Sequence, residues 1–393
     1  MATYFEFINT TKIISGLKAL ENIPFELEKR GAFKPMILSD KVLLEIGTVR
    51  KVINAFPKGA VELTSIYTDI PADSSVRIVS EIAKKFISDG CDSIIAVGGG
   101  SVIDTAKGVR LVLSQEVEDI TDLMGVNALK KSRHIPLIAV PTTSGTGSEA
   151  TQIAVIANPD KNIKMEFVAP ELLPDLAVID VRMTETMPAK VTASTAMDAL
   201  CHAIEAYSCI QRNPVSSAMA FASVKLIMGN IKEGVENGTN KEARLALANG
   251  ALLAGIAFSN SMVGNVHAIG HALGGVCKVP HGDAMSILLP HCMEYNLDAV
   301  RDLYAELLLP LGGADIYATT PKKDRAEASI QVIRDLLEYL NKKSGLPIKI
   351  SETRAEKEDF GIVAKKAMND GAMVVNPRPM SYEDVLELLN KAY

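Results

Sequence analysis

The sequence predicts two domains of different class: an α/β domain built on a parallel sheet over residues 1–184, and an all-α domain over residues 185–393. Three observations predict this. At 393 residues the chain exceeds the roughly 250–300 residues at which a single core stops growing. Up to about residue 180, short apolar runs rich in β-branched residues alternate with helical patterns, as strands buried on both faces of a parallel sheet require. From about Met187 the texture is helical throughout, with Ala-rich, close-packing faces.

In the first half, KPMILSD (34–40) predicts a strand ending at Asp40, and VELTSIY (61–67) a second. SVRIVSEIAKKFISDG (75–90) has a helical period and a Gly stop. SIIAV (93–97), IPLIAVP (135–141) and LAVID (176–180) are further strands. In such sheets ligands bind beyond the carboxyl ends of the strands, and three features fall there. Gly98-Gly99-Gly100-Ser101 opens a helix; its glycines let backbone approach a phosphate, and Ser101 can cap the helix, whose positive end favours an anion. It is neither G-x-G-x-x-G nor a P-loop, and reads equally as a tight connection. Thr142-Thr143-Ser144-Gly145-Thr146-Gly147-Ser148 is dense in hydroxyls; alone it is a polar loop, beside the first it suggests a nucleotide site. Asp40 could accept ribose hydroxyls and repel a 2′-phosphate, although a strand-terminal Asp is also an ordinary turn residue.

In the second half, PAKVTASTAMDALCHAIEAYS, PVSSAMAFASVKLIMGNI and KEARLALANGALLAGIAF predict successive helices. Ile330, Ile333, Leu337 and Leu340 form the apolar stripe of another, and SYEDVLELLNKAY a terminal one with Ser381 as N-cap. Within this half, NVHAIGHALGGVCKVPHG (265–282) carries three of the chain's six histidines. His267 and His271, four apart, share a helix face. His281, after Lys-Val-Pro and before Gly, reads as a loop residue. Asp198 and His202 repeat the four-residue spacing in AMDALCHAIEAY. A lone His is an ordinary hydrogen-bonded core residue. A carboxylate with up to four imidazoles is instead an oxygen and nitrogen ligand set suited to Fe, Zn, Mn or Ni. The spacing does not separate His267 from His271 as the ligand. A cleft between the two halves is the expected ligand site.

Composition excludes several classes. Charged residues make up 22% and the formal net charge is −6, with no basic run, so no nucleic-acid footprint is expected. Leu245 to Cys277 contains no charged residue, but its longest apolar run, Gly250 to Phe258, is far short of the ~20 residues that span a bilayer; no membrane role is expected. The N-terminal stretch lacks a secretory pattern, and the five cysteines are an odd, scattered set without C-x-x-C, so they read as reduced thiols of a soluble cytoplasmic protein.

GGGSVIDTAKG, PTTSGTGSEAT, AMDALCHAIEAY, NVHAIGHALGG, PHGDAMSILLP and the closing NPRP, in this order, resemble the iron-containing (group III) alcohol dehydrogenases. The resemblance implies a dehydroquinate synthase-like architecture, with a Rossmann-like NAD(P)-binding domain and a helical metal-binding domain. It implies metal ligands at Asp198, His202, His267 and His281, with His271 close to the metal but not bound to it; on the mechanism this suggests, His271 is the candidate catalytic proton relay. Gly98, Gly99, Gly100, Ser101 and Asp104 match pyrophosphate and nicotinamide contacts, Thr142 and Thr143 the adenine side, Lys164 a cofactor-contacting lysine, and Asp40 a residue favouring NAD over NADP. The metal it implies is Fe2+, although the ligand types equally admit Zn2+. At Ile70 to Ser75 the chain departs from the family's Pro-Asn-Pro-Thr-like turn, and Asp73 stands where a cofactor-facing Asn is usual.

The implied reaction moves a hydride between a primary alcohol or diol, its oxygen bound to the metal, and the nicotinamide. A small-molecule alcohol or aldehyde is the expected partner, with a homodimer or higher homo-oligomer supported by the apolar helical half. Two neighbouring enzyme classes share the architecture. A dehydroquinate synthase-like lyase calls for Lys and Arg around the metal. Between Asp198 and His281, however, only Lys278 among six Lys and Arg is interleaved with the ligand motifs. A glycerol dehydrogenase-like zinc enzyme fits these motifs less well. A non-catalytic metal-binding scaffold would leave the Gly-rich turn, the hydroxyl-rich loop and Asp40 without a shared purpose.

Overall fold

The computed structural model describes residues 4–57, 59–124, 129, 133–161 and 163–393. Tertiary contacts divide them into two units. One comprises Ile8–Thr143 and Gly147–Thr186; the other comprises Met187–Tyr393, Ser144–Thr146 and the described residues up to Phe7.

The first unit is the α/β one. Its strands are β1 (Lys12–Ser15), β2 (Pro35–Leu38), β3 (Ser65–Tyr67), β4 (Ser93–Gly98), β5 (Leu137–Pro141), β6 (Ile153–Asn158), β7 (Ile163–Val168) and β8 (Leu176–Ile179). Six of them form a parallel sheet in the order β1-β8-β5-β4-β2-β3, and β6 and β7 pair as a separate antiparallel hairpin. Its helices are α1 (Ile23–Lys29), α2 (Lys41–Glu45), α3 (Thr48–Ile53), α4 (Val76–Ser88) and α5 (Gly100–Gln115). Alternate strand residues serve opposite cores. Met36, Leu38, Ile94, Ala96, Leu137 and Ala139 pack with Val79 and Ile82 of α4 and Ile103 and Ala106 of α5. Ile37, Ile95, Val97, Ile138 and Val140 pack with Ile23 and Leu27 of α1 and Val49 and Val52 of α3. Burial on both faces is why these strands read as unbroken apolar runs.

All five strands expected from sequence are present. The three that periodicity did not predict are short or half-exposed. β1 is a four-residue edge strand, and β7 exposes Ile163, Lys164, Glu166 and Val168 while Met165 and Phe167 face the core.

The helical unit contains α6 (Ala189–Ser208), α7 (Pro214–Glu236), α8 (Lys241–Ser259), α9 (Asn265–Cys277), α10 (His281–Thr319), α11 (Arg325–Ser344), α12 (Phe360–Ala367), α13 (Gly371–Val374) and α14 (Tyr382–Ala392). Non-helical backbone at Val300 and Gly313 interrupts α10. Small residues of α6, among them Ala196, Ala199, Ala203 and Ala206, lie in one core with Val224 and Ile227 of α7, Ala251 and Ala254 of α8 and Leu288 of α10. The absence of bulk lets these helices approach closely. Ser381 caps α14 as expected: its Oγ accepts the Asp384 N–H at 3.1 Å while Asp384 Oδ2 accepts the Ser381 N–H at 2.8 Å. Among the described residues no helix is long and apolar enough to cross a membrane. All five cysteines are buried free thiols.

Candidate active site

The carboxylate and three of the imidazoles converge within the helical unit. Asp198 and His202 lie one turn apart on α6, His267 in the first turn of α9, and His281 at the first residue of α10. The loop expected at His281 is therefore replaced by a helix start. Pro280 takes extended backbone immediately before it, ending the preceding segment and leaving His281 free to enter the helix. Gly282 then fixes the approach: a Cβ there would lie 2.5 Å from the Ser194 carbonyl oxygen, so only glycine lets α10 start against α6 beside Asp198.

Asp198 Oδ1 lies 3.1 Å from His281 Nε2, 3.6 Å from His267 Nε2 and 4.0 Å from His202 Nδ1. Asp198, His267 and His281 each offer an atom within 4.8 Å of the others. His202 comes in from the side, its ring stacked between Phe258, at 4.3 Å between centroids, and His267, at 4.4 Å. Donor atoms about 2.1 Å from a tetrahedral cation stand about 3.4 Å apart, so the spacing suits a small divalent ion. The chemistry of the atoms suits it too. Asp198 Oδ1, His202 Nδ1 and His267 Nε2 are buried without a hydrogen-bond partner among the described residues. Buried polar atoms left in this state cost free energy unless something fills the gap between them. The His281 side chain is 42% exposed, which leaves one side of the cluster open.

The imidazoles are electrostatically distinct. Burial pulls His202 down to about 3 against the opposing pull of Asp198. Burial also acts to lower His267, but Glu205 and Asp198 reverse it and hold that ring up at about 10. Burial acts to raise Asp198, yet the facing His202, His281 and His267 keep its carboxyl well below the usual carboxylate range. The cluster thus keeps an anionic centre in a buried position.

Sequence reasoning missed the groups behind the cluster. Glu205, on the same helix as Asp198 and His202 at the i, i+4, i+7 spacing, accepts from His267 Nδ1; that spacing was the available signal. Asn376, from the NPRP motif, accepts from the Asn265 N–H at 3.2 Å and donates to Asn296 at 2.8 Å. His271 stands apart from the converging atoms. Its ring stacks near His281, at 5.5 Å between centroids, and its Nδ1 lies 2.9 Å from Asp370 Oδ2. Among the basic residues near the ligand motifs, Arg244 is buried and fully engaged, donating to Gly238 O, Thr192 Oγ1 and Met187 O.

In the α/β unit, the Gly-rich turn and the first threonines of the hydroxyl-rich loop sit side by side. The Thr142 N–H donates to Gly98 O at 3.0 Å, and a Cβ on Gly99 would meet Thr143 Oγ1 at 3.3 Å. Helix α5 starts at Gly100 with Gly99 as N-cap, two residues earlier than a Ser101 cap requires. Ser101 does not cap it; its Oγ accepts the Asp73 N–H at 3.3 Å. No side chain caps this 16-residue helix; the Val102 and Ile103 N–H groups donate to Gly99 O, each at 3.1 Å, and the positive end of the helix favours an anion. Asp104 is tied on both oxygens, by Ser148 Oγ at 2.6 Å and the Val155 N–H at 3.0 Å. Lys164, the lysine that the resemblance places at the cofactor, pairs with Asp73 of the departing turn at 2.6 Å. Asp40 caps α2, its Oδ1 accepting the Leu43 N–H at 2.9 Å.

Comparison with known proteins covers both units. Residues 10–181 match the model of iron-containing alcohol dehydrogenases, and residues 192–393 match the C-terminal model of the same family. The NAD-dependent methanol dehydrogenase of Bacillus methanolicus is 34% identical over 387 residues, 98% of this chain and 99% of that protein. The 1,3-propanediol dehydrogenase of Citrobacter freundii is 32% identical over 395 residues, 99% of each chain. Among solved structures, an alcohol dehydrogenase from Oenococcus oeni matches with a TM-score of 0.93 at 34% identity, covering 99% of this chain and 100% of that one. With agreement of this extent in sequence and fold, and over both units, the chain belongs to the iron-containing alcohol dehydrogenase family.

Proposed function

We propose that Asp198, His202, His267 and His281 hold the divalent metal of this family member, Fe2+ in preference to Zn2+, and that the Gly98–Ser101 turn with Thr142, Thr143 and Lys164 holds NAD. As a member of the family, the chain is a metal-dependent oxidoreductase that moves a hydride between an alcohol or aldehyde and a nicotinamide cofactor. The observation that carries the metal reading is the group of buried, unpartnered acceptor atoms converging on one point. A divalent cation supplies Lewis acidity, which brings an alcohol hydroxyl toward ionisation near neutral pH.

The chain's own residues do the rest. Oxidation removes a hydride from the carbinol carbon to nicotinamide C4 and a proton from the hydroxyl. His271 is the relay for that proton: with Nδ1 held by the Asp370 carboxylate, its Nε2 is the free acceptor. The N-terminus of α5, which no side chain caps, favours the cofactor pyrophosphate, and Asp40 disfavours a 2′-phosphate by charge. Asp104, bound on both oxygens, shapes the loop around the cofactor. The alcohol is primary or a short diol. A cytoplasmic location, consistent with five free buried thiols, and a homo-oligomeric state belong to the same proposal.

Metal content by elemental analysis, paired with NADH production from ethanol, butanol, 1,2-propanediol, 1,3-propanediol and glycerol, tests it. Iron at about one per chain with turnover of at least one of these alcohols is expected. Metal-loaded protein inactive with NAD and with NADP on all five would overturn the substrate reading.

A further inference from the structure

We propose that Glu205 is the positioning residue that sets the tautomer of His267 and anchors the helix carrying it; this rests on the reading of His267 as a metal ligand. Glu205 is 5% exposed and uses both carboxylate oxygens. Oε2 accepts from His267 Nδ1, and Oε1 accepts the Val266 N–H at 2.7 Å. A carboxylate can only accept, so Nδ1 carries a proton, and Nε2 is the nitrogen that faces Asp198 Oδ1, at 3.6 Å. The backbone bond satisfies one of the otherwise open N–H groups at the start of α9. A single anion therefore orients the ring, selects the nitrogen that faces the cluster and places the helix end.

The surroundings are built for this contact. A Cβ on Gly264 would lie 3.1 Å from Glu205 Oε1 and 2.9 Å from Asn376 Oδ1, so glycine at that position admits both. Asn376 accepts from the Asn265 N–H at 3.2 Å and from Asn296 Nδ2 at 3.0 Å, and donates to Arg378 O at 2.7 Å. The NPRP segment thus braces the same helix end that Glu205 holds. Gln in place of Glu has the same shape but one acceptor oxygen for two donors, so one bond fails. If the amide NH2 turns toward His267, the proton moves to Nε2 and closes that nitrogen to a cation.

Stripped protein titrated with Zn2+, a redox-inert probe, against a chelator of known affinity tests the idea in wild type, Glu205→Gln and His267→Ala. Carboxylates that hold a ligating imidazole are typically worth about 10–100-fold in metal affinity. The expected result is a loss of that size in Glu205→Gln, with thermal unfolding of the metal-free protein little changed, and a larger loss in His267→Ala. Zn2+ affinity of Glu205→Gln within twofold of wild type, with His267→Ala still defective, would overturn the role of Glu205 and leave the site intact. Undiminished affinity in His267→Ala would overturn the site itself. Long-range 1H–15N spectra of Zn2+-loaded wild type read the tautomer without any variant: a proton on His267 Nδ1 supports the proposal, and a proton on Nε2 refutes it even where Glu205→Gln fails to fold.

Discussion

Two clusters of buried charge, one in each unit, are built from similar side chains and end in opposite states. In the α/β unit, Lys107 is fully buried and its Nζ donates to Thr151 O and Oγ1, each at 2.9 Å, and to Ile153 O at 2.7 Å. Its neighbour Asp104 accepts two hydrogen bonds, and Glu149 lies within the same field. In the helical unit, Asp198, His202 and His267 bury ionisable groups just as completely but leave one atom of each without a partner. A satisfied cluster ties loop to helix and needs nothing more. An unsatisfied one is completed by a ligand that supplies the missing interactions, the role proposed for the metal. Buried charge is common to both, so the state of the hydrogen bonds separates the scaffold cluster from the proposed site.

Asp198→Asn is the severest challenge to this comparison. The amide keeps the shape but removes the only anion among the proposed ligands, and metal content should fall to background with activity following it. Retention of stoichiometric iron by elemental analysis would place the two clusters in the same class. Lys107→Met should do the reverse. Leaving the carboxylates around it without their cation, it is expected to cost about 3–5 kcal/mol of stability, read as a fall in thermal midpoint, while iron per folded chain stays unchanged.

Glu149→Gln sharpens the scaffold side through pH. Burial raises the Glu149 carboxyl from 4.5 to about 7, opposed by a backbone hydrogen bond and Lys107. The folded state therefore binds this proton more tightly than the unfolded chain. The resulting stability is present in full below the unfolded value of 4.5 and is lost as pH rises through about 7. The shift corresponds to at most about 3 kcal/mol. Glu149→Gln should flatten the unfolding profile between these pH values, and an unchanged slope would remove Glu149 from the account. The smallest effect is expected at Asp40→Gly, where loss of the cap costs a few tenths of a kcal/mol. The ratio of kcat/KM for NAD over NADP should narrow by roughly tenfold, equivalent to about 1.4 kcal/mol. An unaltered ratio would leave Asp40 as a helix cap alone.

Much of this was legible along the chain. Strand positions followed from apolar runs such as Ile94 to Val97 because both faces of the sheet are covered. The i, i+4 spacing of Asp198 and His202 by itself puts both on one face of α6. The edge strand β1 and the β6–β7 hairpin were not legible, since short and half-exposed segments carry weak periodicity. Nor was the start of α10 at His281, where Pro-His-Gly reads as a turn. Close packing of Gly282 on Ser194 decides in favour of helix there.

Residue types, their spacing and the order of the motifs were thus enough for the two-domain class and the resemblance to a family, and they named the residues proposed as ligands. Local propensity and patterning act over a few residues, and those features are local. Folding alone brought His267 and His281 to Asp198 while turning His271 toward Asp370, engaged Asp104 on both oxygens, and set Glu205 behind His267. These are contacts between segments far apart in the chain, and they depend on which helix faces pack and how closely, down to single glycines at the crossings. No spacing rule along the chain encodes that.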